Sequence, residues 1–536
     1  MNPSRARGRS GEPRLQPWIR VSLFALALIL GAAAVFHARV FYDDDAYITL
    51  RYATRLIHGQ GLTFSDGERV EGFTNPLWLG QLALLARLGA DPVAASRACG
   101  LVYLAALFVL WWRARWRLWA LLLLATQPGL VLWSVGGLET VSFCFWLAWG
   151  AWLTLEASRR STNADPGAGR CGAYAGATFA AAALTRPVGF GCGLLAVAGL
   201  LLHARRRTGL IAAAALLVPV AAYIAFRLAY FGDYLPNAAR AKIGGLSLIW
   251  HVRVALEYLR LMRPDWLAAT FAGAVAVTLA PSRRAGWVLA LSLPVWAEIF
   301  LGGGDHMAGA RLVLPIVVLY AVAAGLPEGG RPWRLTAATV LLCVAAALQS
   351  TVAFLRPVQR DYAASVGAPV GRFLQAHLPP GALVSTATAG ATPYFAPALR
   401  FLDPLGLNDK HIARTVPEKI ITRCQIAPGH QKGDGAYVLG RAPDLIILGP
   451  AEGYLGTDPK EWFLTDYQLL QSAGFREGYR PYRLPVPVDP QEAIDPGVAP
   501  LLDPASRTFV LTAYLRKNSA AAEELARLGT PLTPPW

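Results

Sequence analysis

Uncharged apolar runs recur through the first two thirds of the chain, among them Val21 to Phe36, Leu118 to Val135, Val188 to Leu202, Trp266 to Ala280 and Leu335 to Leu355. Several approach the roughly 17–25 residues that an α-helix needs to cross a bilayer. Only 16% of the 536 residues are charged, against about 25% in soluble domains. After about Pro357 charges, prolines and turn residues scatter through the chain and no long apolar run returns before Trp536. The expectation is an α-helical polytopic membrane region, residues 1–356, followed by a soluble α/β domain, residues 357–536. In that tail short apolar strands such as Leu383-Val384-Ser385 and Leu445-Ile446-Ile447-Leu448 alternate with helical stretches.

About eleven transmembrane helices are expected, over Val21–Phe36, Ala98–Trp112, Leu118–Val135, Val141–Leu155, Ala173–Leu184, Val188–Leu202, Leu210–Phe226, Trp266–Ala280, Ala285–Phe300, Leu312–Leu326 and Leu335–Leu355. With the N-terminus in the cytoplasm, Arg113/Arg115/Arg117, Arg159/Arg160/Arg170, Arg205/Arg206/Arg207, Arg283/Arg284 and Arg331/Arg334 all fall on the cytoplasmic side, as the positive-inside rule requires. That threading needs Leu77 to Leu88, which follows Asn75-Pro76, to lie along the membrane surface rather than cross it. The net charge of +16 is accounted for by these short clusters between apolar runs, so no nucleic-acid partner is expected. Arg5, Arg7, Arg9, Arg14 and Arg20 before the first run also fit a signal peptide, with Ala32 to Ala34 as small residues for cleavage. A retained first span is the favoured reading. Of six cysteines, five (Cys99, Cys144, Cys171, Cys192, Cys343) lie in or beside apolar runs, and neither a disulfide framework nor a CxxC metal site is visible.

An odd number of crossings puts the segment 41–97 outside, together with 134–140, 231–263, 302–311 and the whole C-terminal domain. The first of these outer segments begins Phe41-Tyr42-Asp43-Asp44-Asp45-Ala46, three adjacent carboxylates directly after a membrane helix. Acids clustered at a bilayer surface repel one another and the lipid phosphates, which suits a general base or a metal ligand. The plainer reading is that they cap a helix beginning near Ala46. One such residue suffices for that. The other outer segments are sparing with cations but keep Arg186, Arg240, Lys242 and Arg311, each able to hold a lipid phosphate or simply to snorkel to the headgroups. Gly302-Gly303-Gly304-Asp305-His306 and Arg311 join backbone freedom to an acid, an imidazole and a guanidinium. Glu139, after Gly136-Gly137 at the outer end of a span, is a candidate for substrate or metal binding.

These residues resemble the bacterial membrane glycosyltransferases of the GT-C superfamily, whose first outer loop carries an acidic pair. More narrowly, Asp44-Asp45-Ala46 through Arg51-Tyr52-Ala53, Gly61-Leu62, Gly67 to Gly72 and Thr74-Asn75 to Trp78 look like the terminal arabinofuranosyltransferase-like group of Actinobacteria and related proteins, which use decaprenyl-phosphoarabinose. Similar patterns recur at Gly137-Leu138-Glu139-Thr140, Leu235-Pro236-Asn237, Gly303 to Arg311, Gly406 to Asp409 and Pro428 to Lys432. The resemblance implies Asp44 and Asp45 as the catalytic pair, with Asp44 the first choice for base and the pair the candidate ligands of a divalent cation (Mg, Mn or Ca). It implies Asp43, Arg51, Glu71, Asn75, Glu139, Arg186, Asn237, Arg240, Lys242, Asp305, His306 and Arg311 as substrate-binding positions. His306 stands where the family has tryptophan or phenylalanine.

The function so implied is transfer of a sugar, arabinofuranose in the nearest resemblance, from a polyprenyl-phosphate donor to a glycan, lipid or protein acceptor of the cell envelope. It would occur on the outer face of a bacterial inner membrane. One carboxylate acting as base gives inversion, whereas retention would need a nucleophilic carboxylate. A transporter or lipid flippase, or a non-catalytic scaffold of the same fold, are the competing readings. A transporter would show inverted repeats or interrupted helices with midplane charges, and the long acidic first loop favours an enzyme.

Overall fold

Proline punctuates the apolar runs. In the computed structural model, α1 (Pro17–Ala38), α3 (Pro76–Arg87), α4 (Pro92–Arg113) and α6 (Pro128–Val135) all begin on proline. At a first helical position its missing N–H costs nothing and its fixed φ favours the turn. The structure describes residues 16–536 apart from 66, 244–246, 327–331, 356, 357, 359, 418, 419, 459–461 and 491–494. Arg5, Arg7, Arg9, Arg14, Arg331 and the expected boundary at Pro357 therefore lie outside the described residues.

Between those helices lie α2 (Asp44–Ile57) and α5 (Leu118–Ala125), and beyond them α7 (Thr140–Thr162), α8 (Ala168–Thr185), α9 (Val188–His203), α10 (Arg206–Phe231), α11 (Asn237–Ile243), α12 (Leu248–Leu261), α13 (Arg263–Leu279), α14 (Arg283–Ala290), α15 (Leu293–Gly302), α16 (Leu314–Gly325) and α17 (Pro332–Leu355). Among the described residues five helical stretches are long and apolar enough to cross a membrane: Pro17–Ala38, Pro92–Arg113, Arg206–Phe231, Arg283–Gly302 and Trp333–Leu355. The remaining expected spans are helical too, but shorter or less uniformly apolar.

One expected span requires correction. Leu118–Val135 is not a continuous helix but α5 and α6, bent by 60°. Pro128 has no N–H to continue α5, and the Gln127 side chain, accepting from the Gly129 N–H at 3.1 Å, restarts the chain in a new direction. Leu77–Leu88 is α3, only 12 residues long.

Small residues set the closest helix crossing. A Cβ on Gly176 of α8 would stand 2.1 Å from the Ala212 carbonyl oxygen of α10, and one on Gly172 would stand 2.8 Å from that of Thr208. Only glycine lets these two backbones touch.

After α18 (Tyr362–His377) the chain forms a six-stranded sheet in the order β2-β1-β3-β5-β4-β6. The strands are β1 (Leu383–Thr386), β2 (Arg400–Leu402), β3 (Leu445–Ile447), β4 (Tyr479–Pro487), β5 (Thr508–Arg516) and β6 (Thr530–Pro531). Both strands expected from the sequence are present as β1 and β3, which pair in parallel with Val384 opposite Leu445. β1 and β3 are buried on both faces, as central parallel strands are. β4 alternates buried Leu484 and Val486 with exposed Arg483 and Pro485, as a strand with one wet face must. Between β1 and β2 lies a single helical turn, α19 (Ala391–Tyr394), against which α2 packs. Residues 46–53 of α2 are almost wholly buried, so this helix is the wedge between the helical region and the sheet.

Candidate active site

A half-enclosed cavity of about 480 Å³ opens where α2, the α8–α9 junction, α11, α15 and the loop 302–311 converge. Val188, Pro294, Ala297 and Leu301 make one wall apolar, and Leu407 and Pro428 from the sheet region roof it. The polar groups on its surface are Asp45, Asn75, Glu139, Arg186, Lys242, Glu298, Asp305 and Arg311.

Successive residues of a helix point about 100° apart, so the three aspartates face three directions. Asp43 caps α2, its carboxylate accepting from the Asp45 N–H at 3.0 Å. Burial, then the charges of Asp45 and Asp361, push its pKa well above the usual carboxylate range. Asp44 faces the sheet region. Its two oxygens accept from the backbone N–H groups of Gly390 (3.0 Å) and Ala391 (2.7 Å). Burial and the nearby Asp361 raise its pKa to about 8, against the pull of those amides. The seat admits no side chain, since a Cβ on Gly390 would meet the Asp44 carbonyl oxygen at 1.9 Å. Asp45 alone of the three lines the cavity, and its carboxylate has no hydrogen-bond or ion-pair partner among the described residues.

The Asp44 carboxylate is spent on the chain's own amides, so of the expected catalytic pair only Asp45 lines the cavity. The two carboxylates expected as a metal pair do not both line the cavity. Both oxygens of Asp44 are engaged away from the cavity, and no group of three or more His, Cys, Asp or Glu among the described residues is arranged to hold an ion.

Three of the four expected cations reach the cavity. Arg186, at the C-cap of α8, donates from Nη2 to Glu298 Oε1 at 3.1 Å, while its buried Nη1 has no acceptor among the described residues. Lys242 has no ion-pair partner among the described residues. Arg311 donates from Nε and Nη2 to Asp305 Oδ2 at 2.9 and 2.7 Å, and its guanidinium lies 5.3 Å from the ring centre of Trp133. Burial alone would raise the pKa of Asp305, but the Arg311 guanidinium, helped by His306 and Lys242, holds it well below the usual range. Arg240 does not line the cavity. It turns outward, Nη2 2.6 Å from Asp233 Oδ1, because a position two before Lys242 on the short α11 faces the opposite side.

The other expected site residues divide in the same way. Asn75 and Glu139 line the cavity together, Asn75 Nδ2 donating to Glu139 Oε2 at 2.8 Å. Arg51 is buried elsewhere, donating to the Phe64 and Leu399 carbonyls (2.8 and 3.1 Å) and to that of Pro393. Glu71 accepts from Arg227 Nε (2.6 Å) and the Tyr223 hydroxyl (2.7 Å), outside the cavity. Asn237 donates to the carbonyls of Gly406, Leu407 and Asp409, tying α11 to the sheet region. His306 is exposed beside the cavity, its ring 4.8 Å from that of His430. Sequence reasoning missed Glu298, hidden inside the apolar run Ala285–Phe300. Its charge within such a run was the available signal.

A family described as a domain of unknown function (DUF8728) matches residues 355–486. No curated protein matches the sequence. The chain is similar to several solved structures, each at low identity. The apo crystal structure of ArnT from Cupriavidus metallidurans has a TM-score of 0.49 at 13% identity, covering 96% of this chain and 99% of that one. The archaeal oligosaccharyltransferase AglB from Archaeoglobus fulgidus, in complex with an inhibitory peptide and a dolichol-phosphate, has a TM-score of 0.49 at 12% identity, covering 96% and 77%. The arabinofuranosyltransferase AftD from Mycobacteria has a TM-score of 0.41 at 16% identity, covering 94% and 40%.

Proposed function

We propose that the chain is a multi-pass membrane glycosyltransferase that moves a sugar, arabinofuranose by the sequence resemblance, from a polyprenyl-phosphate carrier to a hydroxyl of an envelope glycan, lipid or protein. The first 356 residues form its membrane part and residues 357–536 an extracytoplasmic part, in the plasma membrane of a bacterium. One observation carries this reading: an unpartnered carboxylate, Asp45, shares a largely apolar cavity with an unsatisfied buried guanidinium nitrogen, Arg186 Nη1, and with Lys242.

A phosphate ester of a prenol suits such a cavity, with its charge beside the cations and its apolar tail against the wall of α9 and α15. Asp45 accepts the proton of the acceptor hydroxyl as its oxygen attacks the anomeric carbon. The carbon–oxygen bond to phosphate breaks, and the polyprenyl phosphate leaves with the electron pair. Arg186 and Lys242 stabilise the charge that grows on it. The Asp305–Arg311 and Asn75–Glu139 pairs are already satisfied internally and serve to shape the sugar subsite.

The test is reconstitution of the purified chain with radiolabelled decaprenyl-phosphoarabinose and a glycan acceptor. Transfer to acceptor with release of polyprenyl phosphate is expected, and Asp45→Asn should lower it by about 100-fold or more. Undiminished transfer by an Asp45→Asn protein would remove Asp45 from the mechanism.

A further inference from the structure

At the other end of α8 lies a second groove, about 420 Å³, between the start of α8 and the start of α10. α8 is 18 residues long and ends at Thr185, next to Arg186 of the active cavity. At about 1.5 Å per residue the two sites stand roughly 27 Å apart along one helix. Gly169 and Ala173 of α8 and Thr208 and Ile211 of α10 line the groove where the two helices run side by side.

Its chemistry is that of an anion site. Arg170, Arg205 and Arg207 line it, all exposed and without ion-pair partners among the described residues. The single acid on its rim, Asp165, is already engaged, one oxygen accepting from the Gly167 N–H at 2.7 Å and the other 3.5 Å from Arg160 Nη1. The 26-residue α10 begins at Arg206, between two of these arginines, and its N-cap side chain makes no capping hydrogen bond. Tyr174 and Leu210, next in sequence to the lining residues Ala173 and Ile211, are exposed apolar side chains, as is Leu202. A free anion has no use for these, whereas an amphiphile has.

We propose that this groove binds the phosphate headgroup of an anionic phospholipid, with the acyl chains lying along the exposed faces of α8 and α10. The positive-inside rule explains why arginines gather at helix ends. It does not explain a built cavity among them, with its one acid engaged by neighbours and a long helix beginning between two of the arginines. The proposal is independent of the transferase reading, since nothing in the groove touches the active cavity.

The experiment uses the full chain, purified and exchanged into nanodiscs of phosphatidylcholine with or without phosphatidylglycerol. Bound lipid is read by native mass spectrometry. Preferential retention of phosphatidylglycerol is expected, with affinity about thirtyfold lower in Arg205→Gln/Arg207→Gln, roughly a factor of five per neutralised arginine. Ala173→Leu, which keeps every charge and fills the groove, should lower retention as well. Arg113→Gln/Arg115→Gln, an equal loss of charge at another helix end, should not. Equal loss in that control pair, or unchanged retention in both groove variants eluting as intact protein, would overturn the proposal. So would inorganic phosphate displacing phosphatidylglycerol at equal concentration, since the site would then recognise the free anion.

Discussion

Arg186 and Glu298 meet at 3.1 Å across the mouth of the active cavity, and the contact occupies only one of the two terminal nitrogens of the guanidinium. The other, Nη1, is buried with no acceptor among the described residues. A buried donor left unmade is costly, so Glu298 serves to aim Arg186 rather than to neutralise it fully.

Arg186→Gln should therefore weaken donor use selectively. Loss of one charge-assisted hydrogen bond is worth about 1.5–3 kcal/mol, which corresponds to a 10- to 150-fold drop in kcat/KM for the polyprenyl-phosphate donor. Steady-state kinetics with varied donor would read this. Glu298→Gln should give a smaller effect, because the amide oxygen still accepts from Nη2. Equal losses in both variants would mean that the pair acts as a strut and not as a phosphate holder.

Asp44→Asn should leave more transfer activity than Asp45→Asn while altering how stability responds to pH. The folded-state pKa of Asp44 is raised to about 8 from a reference of 3.8. The folded protein thus holds a proton that the unfolded chain has released, and stability attributable to this group falls as pH rises from about 4 to 8, by at most about 1.4 kcal/mol per pH unit. Melting curves of both proteins across that range should show a shallower decline in Asp44→Asn. Parallel slopes would mean that Asp44 is ionised in the folded state.

Asp305→Asn should destabilise the protein by about 3–5 kcal/mol, since it leaves the buried Arg311 uncompensated. The pKa of Asp305 is depressed, so its contribution is present above the unfolded value of 3.8 and disappears only in stronger acid. A lowered melting temperature that is constant between pH 6 and 8 is the expected signature.

Asn237→Ala should loosen the contact between α11 and the sheet region, because one side-chain amide donates to three carbonyls at 2.9, 3.0 and 3.1 Å. Faster limited proteolysis between Gly406 and Asp409 would report it, with a stability loss of about 1–3 kcal/mol. Unchanged cleavage would show that other contacts hold that loop.

Much of the helical framework was legible because apolar runs and prolines write it locally. Pro128 was equally visible and still misread, since a proline inside an apolar run marks either a kink or a new helix, and only the packing around Gln127 decides. The site was legible as a set and not as a geometry. Asp43, Asp44 and Asp45 read alike in sequence, yet the phase of one helix sends a single carboxylate into the cavity. Arg240 and Lys242 divide for the same reason. Arg51 and Asn237 read as substrate contacts because a motif records which residues occur together, whereas their backbone-carbonyl partners, Leu399 and Gly406 of the sheet region among them, leave no mark of residue type.

The seat of Asp44 on the Gly390 and Ala391 amides has an architectural consequence. Asp44 and Asp45 are consecutive, so the anchor and the carboxylate that lines the cavity are one peptide unit apart, about 3.8 Å between Cα atoms. A truncated chain ending before α18 would keep every cation of the cavity and still lack the dock that fixes the rotation of α2. The sheet region is thus no removable cover but the keystone that holds α2 in place, and a chain severed before α18 would be expected to accumulate and stay silent.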